Sequence, residues 1–150
     1  MSDNCRQCTG ASATSTKTVY GTCFSTTECT SKGGTADGNC AAGFGVCCTF
    51  LKSDCGSTVS NNCTYIQNPG YPSAYTTSGS CQYSVTPMNS DICQLRLDLD
   101  AFDLAEDATP TGDCIDTFDV TTGSSRDYYA LCGTLTGQHC KYISFYAQID

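Results

Sequence analysis

The chain has 150 residues, fourteen of them cysteine, and sets seven basic side chains against fifteen acids for a formal net charge of −8. So acidic a chain repels phosphate backbones, which excludes nucleic acid as a natural partner, and no apolar run approaches the ~20 residues that span a bilayer. Cysteine reaches the ~8–10% level that marks a disulfide scaffold, and bridges persist only in oxidising compartments, so the chain is expected to be secreted and extracellular.

A zinc site needs clustered cysteine and histidine. His139 is the single histidine, and Cys5-Arg6-Gln7-Cys8 is the one Cys-x-x-Cys pattern. All of Cys5, Cys8, Cys23, Cys29, Cys40, Cys47, Cys48, Cys55, Cys63, Cys81, Cys93, Cys114, Cys132 and Cys140 are therefore read as disulfide cysteines, up to seven bridges. The start, Met1-Ser2-Asp3-Asn4, has neither the basic opening nor the apolar stretch of a signal peptide. A mature form, or a start added for expression, is expected.

Two parts are expected, dividing near residue 55. Residues 1–55 hold eight cysteines amid dense Gly, Ser and Thr, too little apolar surface for a core, so bridges must hold this part together. Adjacent cysteines pair poorly with each other, so Cys47 and Cys48 must reach different partners. Residues 56–150 hold six cysteines and show strand patterns. Gln82-Tyr83-Ser84-Val85 reads as a short strand. In Cys93 to Asp100, Cys93, Leu95, Leu97 and Leu99 alternate with Gln94, Arg96, Asp98 and Asp100, the signature of a half-buried strand with Cys93 on its apolar face. Asp116 to Thr121, Tyr128 to Cys132 and Lys141 to Ala147 are further strands, separated by Gly-Ser-rich pieces such as Gly123-Ser124-Ser125. The fold class is all-β, a sandwich, with no helix and no internal repeat predicted.

From Cys63 onward the chain resembles a CUB domain. Asn68-Pro69-Gly70-Tyr71-Pro72-Ser73-Ala74-Tyr75 is similar to the family's opening turn, and Cys81-Gln82-Tyr83 to its Cys-x-Trp, with Tyr83 in the Trp position. Leu95 to Leu104 follows its apolar strand ending in Phe-Asp. Cys114-Ile115-Asp116-Thr117-Phe118-Asp119-Val120 and Leu131-Cys132-Gly133 follow in the family's order. The resemblance implies a jelly-roll sandwich with bridges Cys63–Cys81 and Cys114–Cys132, each worth about 3 kcal/mol in the chain-entropy model. It leaves Cys93 and Cys140 for an extra bridge. Counted from Cys63 the domain is short for the family, so C-terminal strands are expected to be missing, leaving an open edge that recruits other strands. Residues 1–55 resemble clip domains: Cys23, Cys29, Cys40, Cys47 and Cys48 follow the clip order, and Cys55 stands as the sixth.

Catalysis fails on inventory. His139 is the one histidine base, with nothing to place it beside a nucleophile, and Cys5-x-x-Cys8 lies at an irregular terminus rather than at a strand-to-helix turn. Eight of the fifteen acids fall between Asp98 and Asp119. Paired carboxylates could hydrolyse sugars, but the chain has no Trp to line a cleft. The plain alternative is a solvated acidic face. The sharper one is calcium, a hard cation that takes several oxygen ligands. The CUB resemblance implies a calcium set of Tyr75, Glu106 and Asp116, with Ala105 in the family's Glu position, Glu106 one residue later, and the last Asp beyond Asp150. Weak calcium binding or none is expected. Asn62-Cys63-Thr64 is a glycosylation sequon.

The function expected is a non-catalytic extracellular module that recognises a protein partner. Two alternatives stand beside it. One is a regulatory fragment of a clip-domain serine protease or its inactive homologue. The other is a matrix or filament subunit that self-associates through an open sheet edge.

Overall fold

A computed structural model describes residues 7–10, 18–109, 112–122, 125–126, 130–142 and 147–149. The fold is mostly β and divides into two compact units, the first of residues 1–54 and 61–78, the second of residues 55–60 and 79–150. Several expectations lie outside the described residues: those on Cys5, Gly123 and Ser124, Tyr128, the middle of the strand expected at 141–147, and Asp150.

The first unit opens with β1 (Cys8–Thr9), β2 (Tyr20–Phe24), α1 (Thr26–Ser31), β3 (Thr35–Cys40) and β4 (Gly45–Lys52); β5 (Thr58–Val59) belongs to the second unit and β6 (Thr64–Ile66) to the first. The sheet runs β1-β2-β4-β3 in antiparallel order, and β6 adds to β4 in parallel over Phe50 to Lys52. In β4, Cys47, Cys48, Thr49 and Phe50 are all buried. Both faces of that stretch are therefore covered, the pattern of a central strand. Successive strand residues point to opposite faces, so the two adjacent sulfurs part: Cys47 bridges Cys8 and Cys48 bridges Cys29. Cys23–Cys40 is a third bridge of this unit. Cys29, Cys48 and Phe50 make a buried cluster with Phe24 and Val46 packed on it. Gly34 is required there, because a Cβ would run into the Cys48 sulfur.

The helix α1 is one the sequence reading did not predict. Its six residues, Thr-Thr-Glu-Cys-Thr-Ser, are weak helix formers. What holds it is capping: the Ser25 hydroxyl accepts from the Glu28 N–H at 3.2 Å. At the far end Gly33 takes φ +72° just after the Lys32 cap. Asn61 also donates to the Lys32 carbonyl at 3.0 Å, and the Tyr65 hydroxyl accepts from the Tyr20 N–H at 3.1 Å. Residues 61–66 thus serve the first unit.

The second unit contains β5, β7 (Tyr83–Val85), β8 (Leu95–Asp98), β9 (Asp103–Leu104), β10 (Val120–Thr122), β11 (Ser125–Arg126), β12 (Gly133–Thr134), β13 (His139–Tyr142) and β14 (Ala147–Ile149). Its main sheet is β11-β10-β14-β7-β5, and β8–β13 and β9–β12 form two further ladders. Among the described residues, Val59, Tyr83, Leu99 and Val120 are its buried apolar ones. The expected alternation appears in β8, where Leu95 and Leu97 are half-buried and Arg96 and Asp98 exposed.

Four cysteine expectations need correction. Cys81 bridges Cys55, not Cys63. The Gly56 N–H donates to the Gln82 carbonyl at 2.7 Å and fixes that register, while Cys63, in a left-handed turn at φ +63° in the first unit, is disulfide-bonded elsewhere. Cys55 is therefore not the sixth cysteine of the N-terminal set, since Cys8 fills that place. Cys93 and Cys140 are both free. The ladder sets Cys140 opposite Leu97, four residues along the chain from Cys93, whereas a bridge needs Cα atoms within about 7 Å. Nor does Cys93 lie on an apolar face: β8 begins at Leu95, two residues later, and Cys93 is exposed. The Cys114–Cys132 bridge is present as expected.

Candidate functional site: the acidic loops of the second unit

Two segments of the acid-rich stretch are brought together by backbone bonds. Glu106 and Cys114 form an antiparallel bridge. The Asp107 N–H donates to the Asp113 carbonyl at 2.7 Å, and the N–H groups of Ile115 and Asp116 both donate to the Ala105 carbonyl at 3.0 Å. Behind them Cys114–Cys132 ties the second segment to β12's approach. Phe118 pairs with Leu131 and stacks edge-on against Phe102, with ring centroids 5.5 Å apart. A rigid apolar base thus presents residues 105–107 and 113–116 as one surface.

That surface is acidic. Glu106, Asp107, Asp113 and Asp116 are exposed. Between the last two, Ile115 is 67% exposed, a large apolar side chain with no packing role of its own. The Glu106 carboxylate lies over Gly133, where a Cβ would stand 2.5 Å from Oε2. Gly133 also sits at φ +71°. No side chain could replace that glycine without displacing Glu106.

Of the expected calcium set, Asp116 is held against Ala105, the position where the family's pattern has Glu. Glu106 is engaged over Gly133. Tyr75 is 53% exposed and belongs to the first unit. Among the described residues no group of three or more His, Cys, Asp or Glu is arranged to hold a metal ion. His139 is exposed on β13, opposite Asp98. Asp98 itself binds Arg96 with contacts down to 2.6 Å, a hydrogen bond and charge that raise the Arg96 pKa. Both side chains are about half exposed, so the pair orders a surface rather than a core.

Residues 55–148 match the family profile described as CUB domain. The chain belongs to the CUB domain family. The match begins at Cys55, the cysteine that bridges Cys81, so the family's first bridge is found eight residues earlier than the motif-based reading set it. No curated protein and no solved structure matches the chain. CUB domains are non-catalytic and typically extracellular protein-interaction modules, and the many bridges here agree with an extracellular setting.

The residue that sequence reasoning missed is Ile115. The sequence reading names it only within the stretch Cys114 to Val120 and gives it no role. Its signal was available: an isolated large apolar residue between two aspartates, out of step with any strand alternation.

Proposed function

We propose that this CUB protein is a secreted, non-catalytic recognition module whose second unit binds a protein partner carrying a basic, partly apolar segment. The exposure of Ile115 amid carboxylates carries this reading. Charge distribution supports it. The first unit holds four of the seven basic residues and four of the fifteen acids, for a formal charge of zero, while the second holds three and eleven and so carries the whole −8. An acidic rim steers and orients a cationic partner, and a central apolar residue freed from water supplies affinity. Residues 1–54, with bridges Cys8–Cys47, Cys23–Cys40 and Cys29–Cys48, are proposed as a clip-like module preceding the CUB domain.

The test is an array of synthetic peptides in which Lys and Arg alternate either with Leu and Val or with Gly and Ser. The chain is expected to bind the apolar-interleaved series. Ile115→Ser should weaken it at least ~10-fold, as loss of a hot spot does, and added salt should weaken it through screening of the acidic rim. With only Asp116 matching the calcium pattern in this unit, a chelator is expected to leave the affinity unchanged. Equal binding of the Gly-Ser series would sink the reading. Complete loss with chelator would instead make calcium-bridged recognition through Asp116 the mechanism.

We also propose that Asn62 carries an N-linked glycan. Its side chain is exposed, in the turn before β6, and its Oδ1 accepts the local Cys63 N–H at 3.1 Å. Because the sequon's middle residue is a bridged cysteine, partial occupancy is expected. Expression in a eukaryotic secretory host should give a doublet that collapses on enzymatic deglycosylation and is absent in Asn62→Gln. A single unmodified band would refute this.

A further inference from the structure

Phe44 is 93% exposed, the most exposed large apolar side chain among the described residues. It follows the tight turn Ala41–Gly43 between β3 and β4. Three successive residues there take positive φ: Ala41 at 49°, Ala42 at 54° and Gly43 at 93°. The left-handed region suits glycine, but an alanine Cβ is crowded in it. Two alanines hold it only where the surroundings impose it.

The surroundings are visible. Cys40, at the start of the turn, is bridged to Cys23. The Phe44 N–H closes the turn by donating to the Ala41 carbonyl at 3.1 Å. Gly45 is wedged between the sulfurs of Cys23 and Cys40, where a Cβ would stand 2.9 Å from each. The peptide on both sides of the ring is fixed, and the ring is held away from Phe24 and Phe50, which pack inside the unit. No charged residue occurs from Gly38 to Leu51.

We propose that Phe44 is a preset anchor that enters an uncharged apolar pocket on a protein partner. The proposal rests on the recognition reading above and adds to it a contact of opposite character, on the neutral unit and insensitive to salt. The absence of charge in the stretch that carries the ring, Gly38 to Leu51, selects the occupant. A basic segment gains nothing from this stretch, and an anionic membrane finds no lysine or arginine within it to draw it in. Burying one ring is worth roughly a 10- to 100-fold gain in a binding constant. That is too little to hold a chain of charge −8 on a bilayer, but it is the size of an interface hot spot. The imposed turn removes the ordering cost that a flexible loop would meet on binding.

The test uses the full chain as bait against a yeast-displayed library of extracellular domains, with each recovered clone titrated against variants. Phe44→Ser should weaken at least one clone ~10-fold or more, Phe44→Leu should restore much of that loss, and Met88→Ser, at another exposed apolar residue, should have no effect. The Phe44→Ser effect should be the same at low and high salt. An unchanged unfolding midpoint shows that the variant is folded. Clones that bind Phe44→Ser as well as wild type overturn the proposal and leave the recognition reading standing. A library that yields no clone overturns both. Phe44-dependent sedimentation with phosphatidylcholine vesicles, or Phe44-dependent dimerisation of the chain, overturns the proposal by naming a different occupant.

Discussion

Replacing Cys29 and Cys48 together by alanine is expected to destabilise the protein by about 4–5 kcal/mol, the upper end of what native bridges in small secreted domains contribute. Two effects add. The bridge closes a sequence separation of 19 residues, for which the chain-entropy model gives about 3 kcal/mol. Both cysteines are also completely buried, at the centre of the cluster with Phe50, Phe24 and Val46, so removing two sulfurs leaves a void whose cost is of order 1–2 kcal/mol. The comparison that isolates the second effect is Cys23→Ala with Cys40→Ala. That bridge spans 17 residues, nearly the same loop, but both cysteines are only half-buried. It should cost less by roughly the void term. Guanidinium unfolding gives the two values, and hydrogen exchange should show lost protection from Cys47 to Phe50 in the first variant. Equal costs would mean that burial of the Cys29–Cys48 pair adds nothing.

Mild reduction of the native protein is expected to open Cys55–Cys81 first, at least ~100-fold faster than Cys29–Cys48. A thiolate must reach a sulfur along its own axis. Cys55 is exposed, whereas Cys29, Cys47 and Cys48 show no exposed surface. Reductant reaches the buried pair only when the core opens, and an opening free energy of about 3 kcal/mol already slows attack by a factor of ~100. From the sequence, residues 1–55 are expected to lose their structure before the rest, because bridges replace a core there. In the structure the Cys29–Cys48 bridge and the Cys47 sulfur lie inside the core of this unit, which shields them from reagent. Their loss is severe once it happens and slow to happen. Timed alkylation with peptide mapping reads the order, and early labelling of Cys29 or Cys48 alongside Cys55 would contradict it.

What the sequence made legible was whatever depends on local spacing. The alternation from Leu95 to Leu99 shows directly in β8. The divergence of Cys47 and Cys48 follows from strand geometry, and Cys114–Cys132 from the family's order of motifs. What it hid depends on register. Cys55 and Cys63 both precede the Tyr-Pro turn, and only the pairing of β5 with β7, with Gly56 bonded to Gln82, brings Cys55 to Cys81. The alternation was carried two residues too far at Cys93, because polar spacing does not mark where a strand begins. The helix α1 was hidden by its composition, although Ser25-Thr26-Thr27-Glu28 is a capping pattern that could have disclosed it. At the candidate site the acidic stretch was plain. The meeting of residues 105–107 with 113–116 around Ile115 was not, since it is made by backbone bonds across a loop.

The parallel pairing of β6 with β4 bears on how this protein can be divided or inherited. The chain leaves the first unit after Asp54, returns to it from Asn61 to Ser78, and leaves again. No single cut therefore yields two whole units. A fragment ending at Asp54 lacks the strand that pairs with Phe50 to Lys52 and exposes a raw sheet edge. A CUB segment grafted elsewhere from Cys55 onward carries with it a strand that belongs to another sheet. Shuffling of genes between coding segments moves modules that are continuous in sequence. These two units do not meet that condition.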